Sequence, residues 1–238
     1  VQIFDQVRSV NFSESVMRNI VSIRQSQDLF DDLSPDPHDQ ALAIRLEIES
    51  KPPLYTQSPA LIGRPFEEAA YRDVIQYPFE RLQPSRFSRG RFGVWYGALT
   101  LETTIFETAY HWYRFLCDTG DNETADVCQE RRVRSVLCDS HLLDFTAISD
   151  QWPGMTANDY AFSQHVGDEM SRKKLPGLIS LSARQQNGRT VAIFTPDVLS
   201  NPVDMCYLSY QIRGPVNQGV VVEREPGKVL LTVPMDRL

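Results

Sequence analysis

The sequence predicts an α+β fold, on three observations. Runs with helical spacing of apolar residues and runs rich in β-branched and aromatic residues both occur along the 238-residue chain. They follow one another without a βαβ rhythm. Three β-like runs close the chain, at 190–195, 219–224 and 228–233, and the last two flank the short hairpin turn Glu225-Pro226-Gly227.

Taken in order, residues 11–33 read as a helix, with Val16, Ile20 and Ile23 on one face and Ser13 as N-cap. Ser34-Pro35-Asp36-Pro37 ends it, because a residue before proline avoids the αR region. Residues 41–49 suit a second short helix, and 51–65 is rich in proline and turn residues. Residues 1–65 are therefore expected to be a helical extension, and 66–238 the domain that carries the chemistry. Residues 71–75 suit a short strand or turn, and 85–91 a loop. The aromatic-rich run 92–98 reads as a strand. Thr100 is placed to cap a helix running to about Phe115, with the apolar stripe Leu101, Ile105, Thr108, Ala109, Trp112 and Leu116. Residues 133–137 read as a strand and 158–170 as a helix.

Composition bounds the function. Hydrophobic residues make up 42% and charged residues 23%, which suits one large globular domain, or one with an extension. Lys plus Arg is 24 against 31 Asp plus Glu, a net charge of −7, so bulk attraction to nucleic acid or to an anionic membrane is excluded. No apolar run approaches the ~20 residues that a bilayer requires. Val1-Gln2-Ile3-Phe4-Asp5 has no basic stretch leading into an apolar one, so no cleavable signal is expected. Cys117, Cys128, Cys138 and Cys206 form no CxxC pair, and free thiols in a reducing cytoplasm are the expectation.

Three features stand out on this background. Arg81, Arg86, Arg89 and Arg91 crowd a short stretch with no acid between Arg81 and Arg91. Guanidinium groups bind phosphate oxygens bidentately, so this is either a local anion site or a solvated loop. Glu107 lies opposite the apolar stripe of its helix, with Thr103, Tyr110, His111 and Arg114. A surface pair with His111 is the plain explanation. However, Phe106, Tyr110 and Tyr113 make that second face apolar as well, and a buried glutamate needs a reason such as an active site. Ser182, in Leu181-Ser182-Ala183-Arg184 before Asn187-Gly188, sits just ahead of a turn into a strand, where most serines are only turn hydroxyls. There is no G-x-S-x-G, P-loop, G-x-G-x-x-G, H-E-x-x-H or EF-hand loop. Cys138 and His141 have no second pair to complete a zinc site. His38 and His165 are assigned to the surface.

The stretch from Tyr71 to Phe194 resembles the RES domain, a family named for an arginine, a glutamate and a serine far apart in sequence. Tyr71-Arg72 is similar to the family's early arginine, and Arg86-Phe87 to its basic-aromatic loop. Tyr96 in Val94-Trp95-Tyr96-Gly97-Ala98 is similar to the strand tyrosine, Glu107 to the helix glutamate, and Ser182 before Gly188 to the serine. The loop departs from the usual Gly-Arg-Trp-Asn, reading Ser85-Arg86-Phe87-Ser88 and then Arg89-Gly90-Arg91.

The resemblance implies an ADP-ribosyltransferase-like mixed sheet core and an enzyme acting on NAD. RES proteins are typically toxins of bacterial toxin–antitoxin pairs that cleave the nicotinamide–ribose bond, with phosphate or water as acceptor and no metal. It implies an Xre-like antitoxin as partner, while the net charge argues against a nucleic-acid or membrane partner, the scattered cysteines point to a cytoplasmic location, and homo-oligomerisation stays open. Glu107 would stabilise positive charge on the ribose. Arg72 or Arg86 would clamp the phosphates, and Tyr96 would stack on nicotinamide. Ser182 would hydrogen-bond the carboxamide or a ribose hydroxyl. The arginine loop and the Tyr96 strand would form the cleft floor, with Glu107 and Ser182 on opposite walls. Transfer of ADP-ribose to a protein, or a RES-like scaffold that binds without turnover, are the alternatives.

Overall fold

In the computed structural model, which describes residues 2–21, 72–119, 127–212 and 219–238, the chain opens with a 14-residue strand, β1 (Arg8–Val21). The helix expected over 11–33 is thus a strand as far as Val21. Val16 and Ile20 sit four apart, a spacing that shares one face in a helix and in a strand alike. Phe12 and Val16 are buried. The strand is decided by its partner: β1 runs antiparallel to β5 (Val127–Asp144) from Arg8↔Asp144 to Val21↔Arg131. A strand paired along its whole length is part of the sheet and not a helical extension. The turn at 34–37 and the helix expected at 41–49 lie outside the described residues.

Arg72–Gln76 forms a π turn leading into one α-helical turn, Tyr77–Glu80, where a short strand or turn was expected. β2 (Pro84–Ser85) and β3 (Ser88–Arg89) make a small hairpin with Arg86 and Phe87 at its tip. β4 (Trp95–Ala98) and α1 (Leu101–Thr119) follow, then β5 and α2 (Ala161–Arg172). The remaining strands are β6 (Gly177–Leu181), β7 (Arg189–Ile193), β8 (Leu199–Ile212), β9 (Val220–Glu225) and β10 (Lys228–Val233). β6 and β8 carry no clean sequence signal. β6 is buried through four of its five residues, so nothing in it alternates. The first half of β8 holds Asn201, Pro202 and Asp204, and its pairing with β5 shifts register twice there.

Among the described residues the main sheet has eight strands in the order β1-β4-β7-β6-β5-β8-β9-β10, with β1 also pairing β5. The first five therefore close into a ring, and β8, β9 and β10 extend outward from β5. The β5–β6 pair is parallel and the other ladders are antiparallel, so the sheet is mixed and the fold α+β. Phe12, Val16, Trp95, Val136, Leu142 and Val191 fill one core on the ring.

α1 closes a second core over the extension. Thr100 Oγ1 accepts the Thr103 N–H at 3.2 Å and caps the helix. Ile105, Ala109, Trp112 and Leu116 are buried with Val133, Leu208, Tyr210, Val220, Val222 and Val233. Each large apolar side chain so buried stabilises by about 1.5–3 kcal/mol. The opposite face of α1 is thereby left to carry Glu107. α2 covers a third core, with Val166 and Met170 against Phe87, Leu178 and Ala192. Among the described residues no helix is long and apolar enough to cross a membrane.

Candidate active site

Glu107 is anchored by the turn that follows β6. Ser182 Oγ donates to Glu107 Oε1 at 2.6 Å, and the Ala183 N–H donates to the same oxygen at 3.1 Å. Among the described residues Oε2 accepts no hydrogen bond. Ser182 Oγ also accepts the Arg184 N–H at 3.1 Å and the Gln185 N–H at 3.0 Å. The buried hydroxyl is thus a hub: it holds its own turn in shape and points its proton at the carboxylate. The turn is closed by Ser182 N–H donating to the Gly188 carbonyl at 2.7 Å. Gln185 Oε1 accepts from Thr103 Oγ1 at 2.5 Å, which fastens the turn to the first turn of α1.

Arg184 runs from the same turn onto α1. It is buried, its guanidinium lies 3.3 Å from the Tyr110 ring centroid, and Nη1 donates to Asn158 Oδ1 at 2.6 Å. Its Nε and Nη2 are buried without a hydrogen-bond partner among the described residues.

The hairpin tip brings Arg86 toward the carboxylate. Nη1 donates to the carbonyls of Ala157 at 2.8 Å and Met155 at 3.2 Å, and the guanidinium stacks on Tyr160. Burial lowers the Arg86 pKa, while the nearby Tyr160 hydroxyl and Glu107 carboxylate pull it back up. The tip is held from below by Tyr96, whose hydroxyl bonds Ser85 Oγ at 2.9 Å and accepts the Phe87 N–H at 3.0 Å. The Tyr96 ring lies nearly parallel to Phe87, at 6.3 Å between centroids. Burial pushes the Tyr96 phenol up to about 12, so it stays protonated. From behind, Ser163 Oγ donates to the Arg86 carbonyl at 2.7 Å. Gly167 of α2 comes so close to the Phe87 carbonyl that a Cβ there would sit 1.8 Å from its oxygen.

One cavity of about 850 Å³ joins these parts, with Arg86, Tyr96, Glu107, Tyr160 and Ala183 in its lining. That volume falls within the range of ligand pockets. Among the described residues of its lining, two arginines, Arg86 and Arg131, stand against one carboxylate, Glu107, an excess of positive charge on a chain of net charge −7. His111, one helical turn beyond Glu107, also lines it. Solvent reaches the ring, yet crowding by protein holds its pKa below the usual histidine value; Glu107 opposes this, and Arg184, Arg86 and Arg131 reinforce it.

The structure gathers Arg86, Tyr96, Glu107 and Ser182, and it leaves Arg72 out. Arg72 is exposed, pairs with Glu80 at 3.5 Å and is absent from the cleft lining. Nor do the clustered arginines act together. Arg89 pairs with Asp168 at 3.6 Å, Arg81 lies over Tyr77, and only Arg86 enters the cleft. Glu107 and Ser182 share one wall, where opposite walls were expected, because the β6 turn docks directly on α1. Arg131, Arg184 and Tyr160 were not foreseen as site residues. Arg184 had a signal, its place two residues after Ser182; Arg131 and Tyr160 had none. Among the described residues no three His, Cys, Asp or Glu side chains cluster as metal ligands would.

The family model of the RES domain matches residues 62–213. A crystal structure of the M. tuberculosis MbcT–MbcA toxin–antitoxin complex aligns at a TM-score of 0.44 and 13% identity, over 86% of this chain and 90% of that one. No curated protein matches the chain.

Proposed function

Because the chain belongs to the RES domain family, we propose that it is an enzyme that cleaves the nicotinamide–ribose bond of NAD and serves as the toxin of a toxin–antitoxin pair. The observation that supports this most is a carboxylate fixed by two donors, Ser182 and Ala183, in a cleft that also holds Arg86.

The chemistry fits those residues. As the bond from ribose C1′ to the nicotinamide nitrogen breaks, its electron pair goes to the ring, which becomes neutral and leaves. Positive charge builds on C1′ and the ring oxygen. Glu107 stabilises it, with Oε1 held by protein donors and Oε2 turned to the ligand; such preorganised electrostatics is worth about 3–4 kcal/mol when one contact is removed. Phosphate or water then bonds C1′ through oxygen, and the water reaction releases a proton to solvent. Arg86 clamps a bridging phosphate, the role Arg72 is not placed to fill. Ser182 positions Glu107, and Tyr96 positions the Arg86 tip while facing the nicotinamide. The family's usual partner is an Xre-like antitoxin that covers the cleft.

Incubating the full chain with NAD, with and without inorganic phosphate, tests the reading. Free nicotinamide is expected, with ADP-ribose formed in water and its 1″-phosphate formed with phosphate. Intact NAD under both conditions overturns it.

A further inference from the structure

The cleft is longer than one nucleotide needs. Glu107, His111 and Phe115 lie on successive turns of α1 and all line it, so it follows the helix for about 12 Å. The Arg86 tip, Tyr96 and Ala183 lie toward Glu107. Different elements contribute to the rest of the lining: Asn19 from β1, Gln129 and Arg131 from β5, and Phe115 from the last turns of α1.

Arg131 is held rigidly. Nε donates to Asn19 Oδ1 at 3.0 Å, Nη1 to Gln129 Oε1 at 2.9 Å, and Nη2 to the Asn19 carbonyl at 3.2 Å. All three acceptors are neutral, and among the described residues no carboxylate pairs with it. A fixed cation left without a counter-charge beside an open cavity is suited to bind an anion. Phe115, 60% exposed, offers a flat apolar face at the rim of the same cleft.

Resting on the reading of the cleft as a nicotinamide dinucleotide site, we infer that this second part holds the adenosine-phosphate half. Arg131 takes the adenosine-side phosphate and Phe115 stacks on the adenine. Asn19 and Gln129 position Arg131. A ligand lacking that half reaches only the Glu107 part, so this region makes the site selective for dinucleotides.

Two ligands without the scissile bond test this: ADP-ribose and ribose 5-phosphate, titrated calorimetrically into the full chain. The wild type is expected to prefer ADP-ribose by about a hundredfold or more, and that preference to fall about tenfold in R131Q and in F115A. Phe115 is exposed enough that its loss does not threaten folding, and melting temperatures check both variants. Retention of the full preference by both variants overturns the inference, and nicotinamide release from NAD by the same proteins would leave the proposed activity standing. Loss of preference without any NAD cleavage upholds the inference and removes the activity. Failure of ADP-ribose to bind the wild type, or equal binding of the two ligands, also overturns the inference.

Discussion

The Ser182 hydroxyl donates to Glu107 Oε1 at 2.6 Å across 75 residues of sequence, and accepts the N–H groups of Arg184 and Gln185 on its other side. One oxygen therefore couples the shape of the β6 turn to the aim of the carboxylate. The serine acts through the glutamate, and its effects on turnover and on stability are linked.

Ser182→Ala is expected to strand two backbone donors and cost about 1–3 kcal/mol of stability. The freed carboxylate loses its orientation, and kcat is expected to fall about tenfold or more, with a smaller change in KM. Urea unfolding and steady-state nicotinamide release read the two effects. An unchanged kcat would show that the hydroxyl does not aim Glu107.

Tyr96→Phe removes the hydroxyl that ties Ser85 and Phe87 beneath Arg86. Stability should drop by about 1–2 kcal/mol. Because the loosened tip carries the phosphate clamp, KM for NAD should rise more than kcat falls. The opposite pattern would place Tyr96 in the chemical step instead.

The His111 imidazole is depressed below its usual pKa, chiefly because the protein crowded around it takes away part of its solvation, so the folded chain binds that proton less readily than the unfolded chain does. Its contribution to stability is full above the unfolded value of about 6.5 and is lost as pH falls from there through the depressed folded value. Melting temperatures taken from pH 7.5 to 5 should decline in the wild type, and more shallowly in His111→Gln. Parallel curves would contradict this.

Gly167→Ala forces a methyl group against the Phe87 carbonyl, where the built Cβ lies 1.8 Å from the oxygen. Backbone must shift, at about 1–3 kcal/mol. The displaced tip carries Arg86, so NAD affinity should weaken with stability. Normal affinity in a destabilised variant would separate α2 from the site.

Elements whose signals are local were legible in the sequence. The Thr100 cap, the Ile105–Ala109–Trp112–Leu116 stripe and the Glu225-Pro226-Gly227 turn, with Gly227 at φ 74°, are each specified within a few residues. β1 was not, because Val16 and Ile20 satisfy helix and strand equally and only the distant β5 decides between them. The site divides in the same way. Arg86, Tyr96, Glu107 and Ser182 were legible through their family resemblance, but the Ser182–Glu107 bond depends on how the β6 turn docks on α1. Arg131 sits in Glu130-Arg131-Arg132, which reads as a solvated charge run. Only the Val21↔Arg131 register brings it beside Asn19 and into the cleft.

The most direct measurement compares nicotinamide release from NAD by the wild type and by Glu107→Gln, with circular dichroism and melting temperature recorded on both. The isosteric amide keeps an oxygen for the Ser182 and Ala183 donors but removes the negative charge. Release by the wild type is expected, with a loss of about a hundredfold or more in the folded variant. Equal rates from the two proteins, or no release from either, would contradict it.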